Sequence, residues 1–433
     1  MWKRTLTLAV ALLMCILANP LWLRAQQSEI PPKPPEESAT VEAQTRIVQD
    51  RPDWYSVKRI LHPISWLYAG IKPALGIAEK AGGNSPGIGN TSNPVSGVKV
   101  RFVSLGPGSG FGPEVRPFHH DVFGTKFRVD VPLTITTNVY ESFGFIAGYP
   151  LVTAGDTDRA ALDFSAVYGS RPSENFFGVG NETSESSQSR FRSVSRSATV
   201  GIGTHLTDSV SARVEAGYRN VGITQPRNFI STQDVASPSV LPGLQGGATI
   251  RSLAASVALD TRDRKAFAGS GTLQRIEASV NEGSGDDDFS YWRFRYNAQQ
   301  FIPLSHDHRT VIALRGELET NREKGGSAIP FFELPAIGAP ETLRGFVPDR
   351  FADKSVLDYS VEYRYRIWRQ FDWALFLSQG QVASQIGDFG LSRFHTGYGM
   401  RFLVRPPGDH SIALDIGRSR EGWVLYLNFG PSF

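Results

Sequence analysis

The side chains able to do covalent or metal chemistry are few, and their spacing does not assemble a site. His306-Asp307-His308 and His119-His120 pair histidines in stretches that read as inner turns. A zinc site takes its three or four ligands from fixed positions, so both read as solvated turn histidines. Asp286-Asp287-Asp288 offers oxygens but lacks the alternate-position ligands of a calcium loop. There is no GxSxG nucleophile elbow, no P-loop and no complete GxGxxG. Cys15 is the only cysteine and lies in an N-terminal apolar run, so no disulfide or thiolate chemistry is expected beyond it. No catalytic, cofactor-binding or metal-binding residue emerges, and the expectation is a protein that is not an enzyme and uses no cofactor.

The chemistry that stands out is ionic. Gly338 to Lys354 has no period: glycines, prolines and charges, Arg344 among them, mix with Leu343, Phe346 and Phe351, as in an irregular loop. From Val356 the chain alternates. Asp358, Ser360, Glu362, Arg364 and Arg366 share one face of a strand; Leu357, Tyr359, Val361, Tyr363, Tyr365 and Ile367 share the other. An aromatic outer face backed by an ionised inner one fits a lipid-facing barrel strand better than a soluble sheet.

The chain around this segment has 433 residues, 43 glycines, 27 prolines, 11% aromatics and a net charge of +3. That charge, with no basic run, gives no reason to expect a nucleic-acid partner. Mean hydropathy is slightly negative, and only the N-terminus carries a long apolar run, so a helical polytopic membrane protein is excluded. Lys3-Arg4, the run from Leu6 to Leu17, and Leu23-Arg24-Ala25 predict a signal peptide over residues 1–25. A membrane anchor is the alternative, against which the shortness of the run argues. Residues 26–53, with PPKPPEE, predict a Pro-rich periplasmic tether. In residues 54–96, Trp54, Val57, Leu61, Ile64, Tyr68, Ile71, Leu75 and Ala78 form a helical stripe interrupted at Pro63 and Pro73. Such helices would dock under the barrel or lie on a membrane surface, the alternative being that they pack only on each other, and a linker follows.

From Gly97 to Phe433 about sixteen strand candidates can be placed, fourteen being the alternative count because some, such as Ser209–Asn220, are weak. Arg293, Arg295, Asn297 and Gln299 alternate with Trp292, Phe294, Tyr296 and Ala298. In the last strand Trp423, Leu425, Leu427 and Phe429 share a face with Phe433. The long connections Gly169–Gln188, Val221–Ala248 and Asn321–Ser355 all fall on one side, as external loops do in a bacterial barrel. The fold class expected is all-β, a transmembrane antiparallel β-barrel with a short helical N-terminal periplasmic segment.

These residues carry a resemblance. Leu343-Arg344-Gly345-Phe346, then an acidic-basic loop, then a strand containing Glu362-Tyr363-Arg364, resembles the lumen-folded sixth outer loop and twelfth strand of the BamA/TamA superfamily. Asp260, Arg262 and Asp263, followed by Gly271, are similar to that family's strand-to-turn segment, and Phe176-Phe177-Gly178-Val179-Gly180-Asn181 to a loop of its short members. The apolar alternation ending on Phe433 resembles the assembly signal of bacterial outer-membrane barrels. The resemblance implies a bacterial outer-membrane barrel, monomeric, that assembles, inserts or translocates outer-membrane proteins or lipids without catalysis. Its partners would be outer-membrane lipid and nascent outer-membrane proteins or lipids. A passive channel or structural surface antigen is the alternative. Two departures stand out: no POTRA copy is legible before Gly97, as in the short, POTRA-less branch, and Ser378 stands where the family often has aspartate. By resemblance Arg344 would pair with Glu362 inside the lumen, Ser378 would add a neutral hydrogen bond, Gly345 would allow close approach and Phe346 would wedge against the wall. Glycines and prolines near Gly97, Gly106, Pro107, Gly108, Gly430 and Pro431 would leave the seam between first and last strands weakly paired.

Overall fold

The computed structural model describes residues 95–154, 157–237, 240–265, 267–283, 289–368, 371–404 and 412–429. The expected signal peptide, tether and helical segment lie outside the described residues, apart from the last two positions, as do Asp286-Asp287-Asp288 and Phe433.

The described chain is an antiparallel meander in which each strand of the wall pairs with its neighbours in chain order. Its strands are β1 (Ser96–Val103), β2 (Gly112–Val122), β3 (Phe127–Asp130), β4 (Leu133–Ile135), β5 (Glu141–Ala154), β6 (Thr157–Phe176), β7 (Ser189–His205), β8 (Val210–Thr224), β9 (Ala248–Asp260) and β10 (Gly271–Gly283). They continue with β11 (Ser290–Pro303), β12 (Thr310–Glu323), β15 (Ser355–Trp368), β16 (Phe371–Ala383), β17 (His395–Val404), β18 (Ile412–Ser419) and β19 (Gly422–Phe429). The short β13 (Ala336–Ile337) and β14 (Phe351–Ala352) pair only with each other, inside the loop that joins β12 to β15. The main sheet has 17 strands, but β3 and β4 both lie between β2 and β5, so the wall has sixteen places among the described residues. The break between β3 and β4 falls at Pro132, which has no amide to donate; its carbonyl accepts from the Gly144 amide at 2.8 Å.

The strand positions agree with the sequence reading, and differences in extent have local causes. Pro150–Asp158, which reads from sequence as the longest inner turn, is mostly ladder: β5 runs to Ala154 and β6 starts at Thr157, with the register slipping at Pro150. β6 continues to Phe176 past a second slip between Arg171 and Glu174. His119 and His120 lie within β2, where His120 Nε2 sits 3.4 Å from Asp130.

The inside-out distribution of polarity identifies the solvent. Phe145, Phe164, Ile202, Val214, Leu253 and Trp292 stand exposed on the outside of the wall. Glu114, Arg315, Glu319, Asp358, Glu362, Arg401 and Asp415 are buried on the inside. A soluble sheet would bury the first set and expose the second; a barrel in lipid does the reverse. Among the described residues no helix is long and apolar enough to cross a membrane.

The long connections 177–188, 225–247, 324–354 and 384–394 emerge at one end, the external one by the barrel rule. Beneath them Phe176, Phe191, Val221, Ile223, Leu241, Leu244 and Phe331 form an apolar cluster. The first and last strands meet differently from all other neighbours. Among the described residues no ladder joins β19 to β1; Phe429 instead packs its ring 6.0 Å from Phe102 and 4.6 Å from Phe111. The lower part of β1, Ser96 to Val100, is exposed throughout.

Candidate functional site

The loop from Lys324 to Lys354 turns down into the lumen rather than out into solvent. The β13–β14 ladder closes its neck, and the Asp349 amide donates to the Gly338 carbonyl at 2.7 Å. The excursion between these strands packs Ile337, Leu343, Phe346 and Phe351 against Val356 and Val382 of the wall. An irregular backbone is tolerated at membrane depth only when shielded inside protein in this way.

Arg344 lies at the tip with 1% of its surface exposed, and Glu362 of β15 has 0%. Arg344 Nη1 donates to Glu362 Oε1, its Nε lies 3.3 Å from Ser378 Oγ on β16, and its guanidinium sits 3.9 Å over the Phe376 ring. Glu362 is shared: Arg364 Nε donates to its other oxygen at 2.6 Å, and Arg401 of β17 approaches at 3.4 Å. Arg401 is held in turn by Asp415 of β18 through bonds of 2.6 and 2.7 Å. The loop arginine thus joins a charge chain running across four wall strands. Removing one member of such a buried set leaves an uncompensated charge, which costs about 3–5 kcal/mol. Arg344 Nη2 is buried with no hydrogen-bond partner.

Backbone shape makes the seat. Gly345 has φ +96, a region that disfavours side chains, and a Cβ there would stand 2.8 Å from the Arg418 carbonyl oxygen. The wall answers with glycines on successive strands. A Cβ on Gly397 of β17 would collide with the Arg344 carbonyl oxygen, one on Gly417 of β18 would stand 2.8 Å from the Gly345 amide, and one on Gly380 of β16 would press Ile337. Tyr426 of β19 seals the contact, accepting from the Gly345 amide at 3.1 Å and donating to the Phe346 carbonyl. Phe346 is fully buried beside Phe351, which stacks on His395 at 3.8 Å.

Two further anchors hold the same loop. Glu333 receives Arg219 of β8, Arg293 Nη2 at 2.8 Å and the Tyr291 hydroxyl at 3.0 Å, both of β11, while its carbonyl accepts from Asn321 at 2.8 Å. Arg350 donates to Glu421 at 3.0 and 3.1 Å and to Thr183 at 2.6 and 3.0 Å, with its guanidinium 4.3 Å over Phe351. Between these anchors lies Asp349. Burial, with the nearby Glu174 carboxylate adding to it against the opposing Arg171, pushes its carboxyl up to about 7.

A family model described as the Omp85 superfamily domain matches residues 125–408. This chain belongs to the Omp85 superfamily. Among solved structures it is similar to BamA from Haemophilus ducreyi lacking POTRA domains 1-3, with a TM-score of 0.58 at 15% identity over 77% of this chain and 69% of that one. It is also similar to CdiB from Escherichia coli, with a TM-score of 0.51 at 12% identity over 80% of this chain and 64% of that one. At such identities the likeness is one of fold. It agrees with the resemblance drawn from the loop and strand motifs, and the Omp85 family places the barrel in an outer membrane.

The other residues singled out in the sequence occupy separate places in this Omp85 barrel. Asp260 and Arg262 pair with each other at 2.9 Å near the inner end of β9. Burial works to raise the Asp263 carboxyl, but the amides of Gly269 and Ser270 hold it below the usual range. Gly271 has φ +96, and a Cβ there would collide with the Thr261 carbonyl. That motif is a turn closure, remote in strand order from Arg344. Trp423, Leu425, Leu427 and Phe429 alternate with the lumen-facing Tyr426 on β19. Sequence reasoning did not single out Arg401, Asp415, Tyr426, Glu333 or the glycine floor of Gly397 and Gly417. The legible signal for the floor was glycine at lumen-phase positions of neighbouring strands.

Proposed function

We propose that this Omp85 barrel assists the assembly or translocation of outer-membrane proteins without covalent chemistry, with the loop around Arg344 acting as a latch that sets barrel shape. The observation that carries this reading is the contrast in closure: the loop meets β15 to β19 around Arg344 and is anchored to β8, β11 and β12 through Glu333, whereas β1 and β19 share no ladder among the described residues. A weakly joined seam is the element of the wall that can part at least free-energy cost, because the ladder hydrogen bonds elsewhere must break together. BamA and CdiB share the fold, which supports a role toward outer-membrane proteins. A steadily open channel is disfavoured by the buried loop within the lumen. The N-terminal segment would lie in the periplasm.

The test is to place the purified protein in liposomes and time the folding of an unrelated small barrel. Acceleration that is lost in Arg344→Ala, with the variant still heat-modifiable, supports an assembly role through the latch. An intact barrel that gives no acceleration contradicts the assembly role.

A further inference from the structure

Six of the lumen arginines of this barrel are partnered differently from three that face the lipid. Arg213, Arg219, Arg293, Arg295, Arg315 and Arg401 point inward, and each has a carboxylate within ion-pair distance. On β7 the even-numbered positions face outward, as the exposed Val200 and Ile202 show. That phase places Arg192 and Arg196 on the membrane side near the external end of the strand. On β9 the exposed Leu253 and Val257 set the outward phase, which includes Arg251. Arg192, Arg196 and Arg251 have no carboxylate partner among the described residues, and Arg192 Nε is buried without a hydrogen-bond partner. The carboxylates sharing this face are Glu141, whose cross-strand neighbour is Ser170, and Glu282, beside Arg251 but held by Lys324 at 2.7 Å.

An unpaired guanidinium facing hydrocarbon is costly, and the cost falls toward the headgroup zone. These arginines lie at that level. Arg196 is directly opposite Tyr168 and Arg251 directly opposite Tyr218, the amphipathic rings that mark a membrane interface. Arg190, further out on the same face, is fixed by Ser173 at 3.1 Å and by the Phe229 ring at 3.9 Å, closing the external border. Four residues along a strand separate Arg192 from Arg196 by roughly 13 Å, and two strand spacings separate β7 from β9 by roughly 10 Å. That spread matches a headgroup bearing two phosphates, each met by planar, bidentate guanidinium.

We propose that the outward face of β7–β9 binds a doubly phosphorylated lipid headgroup of the external leaflet through Arg192, Arg196 and Arg251. The site seats the barrel against one lipid class on the wall away from the β1–β19 seam. It is independent of the Arg344 latch and rests only on the barrel's orientation in the membrane.

The test uses the full chain in phosphatidylcholine vesicles doped with diphosphoryl or monophosphoryl lipid A, followed by detergent extraction and native mass spectrometry of the retained lipid. The expected result is retention of the diphosphoryl form, reduced about tenfold or more in Arg192→Gln/Arg196→Gln/Arg251→Gln. Arg393→Gln, in the external loop before β17, should leave it unchanged. The monophosphoryl form should be held more weakly, and excess inorganic phosphate should not displace the lipid. Heat-modifiability of the triple variant certifies its fold, which lipid-facing changes of this kind leave intact. Equal retention by the wild type and the triple variant overturns the proposal. Displacement by inorganic phosphate overturns the lipid as the occupant in favour of a simple anion site.

Discussion

The two sides of the lumen use the same residue types to opposite ends. Along β15–β18 the ion pairs are buried beneath the inserted loop, with Arg344, Glu362, Arg401 and Asp415 almost without exposed surface. Along β6–β10 the wall faces a cavity of about 300 Å³ lined by Asp163, Thr204, His205, Arg213 and Arg275. There Arg213 grips Asp163 with bonds of 2.5 and 2.6 Å, yet both side chains stay about a third exposed. Coulomb attraction in a buried site is several-fold stronger than at a solvated surface, and desolvation makes each buried member dependent on its partners. One side of the barrel is therefore locked by mutual dependence, while the other is a wall whose paired charges stay partly exposed.

That contrast can be broken most severely at Glu362, which serves three arginines at once. Glu362→Ala is expected to destabilise the seated loop by about 3–5 kcal/mol, read as loss of heat-modifiable mobility at a lower temperature and tryptic cleavage within 338–350. Gly397→Ala comes next, since its Cβ collides with the Arg344 carbonyl. The expectation is a loss of about 1–3 kcal/mol, with the same proteolysis as readout and no change in total charge.

How far these positions were legible from sequence follows from what each depends on. Strand phase is local, so alternation in residues 355–368 already separated Glu362 from Tyr363, and the sixteen wall places could be counted from pattern. Arg344 was legible through its motif. Asp415 and Tyr426 were not, because their partners come from loop residues some eighty positions away or from a strand whose register no local pattern fixes. The glycine floor is a shape feature: Gly397 and Gly417 look like ordinary strand glycines until a backbone arrives on top of them. The interruption between β3 and β4 was missed because alternation continues through Pro132 while the ladder cannot.

Ser378→Asp would sharpen the comparison in the opposite direction. It supplies a further carboxylate beside Arg344, whose Nη2 has no hydrogen-bond partner. The seated loop should gain about 1–2 kcal/mol, seen as slower proteolysis. On the partly exposed side, Arg213→Ala should cost no more than about 1 kcal/mol and leave loop proteolysis unchanged.

A separate handle on the seated loop is pH, through Asp349. Its carboxyl is raised to about 7 in the seated loop from an ordinary 3.8, so the seated state binds the proton more tightly. Its contribution to seating is complete below about pH 4, declines as pH rises toward 7 and is gone above it. Tryptic access to the loop should therefore be greater at pH 8 than at pH 5.5. Asp349→Asn should flatten that slope, and asparagine tolerates the positive φ of 56 at this position.

The most direct measurement is amide hydrogen exchange on the barrel in lipid vesicles, comparing β1 with β15. Both are membrane strands, but β15 is laddered on both edges while β1 is laddered only to β2 among the described residues. If the latch side is rigid and the seam is not, amides of Ser96–Val103 should exchange at least about tenfold faster than those of Ser355–Trp368. Equal protection of the two strands would mean that the barrel is closed all the way round, and would contradict a seam able to part.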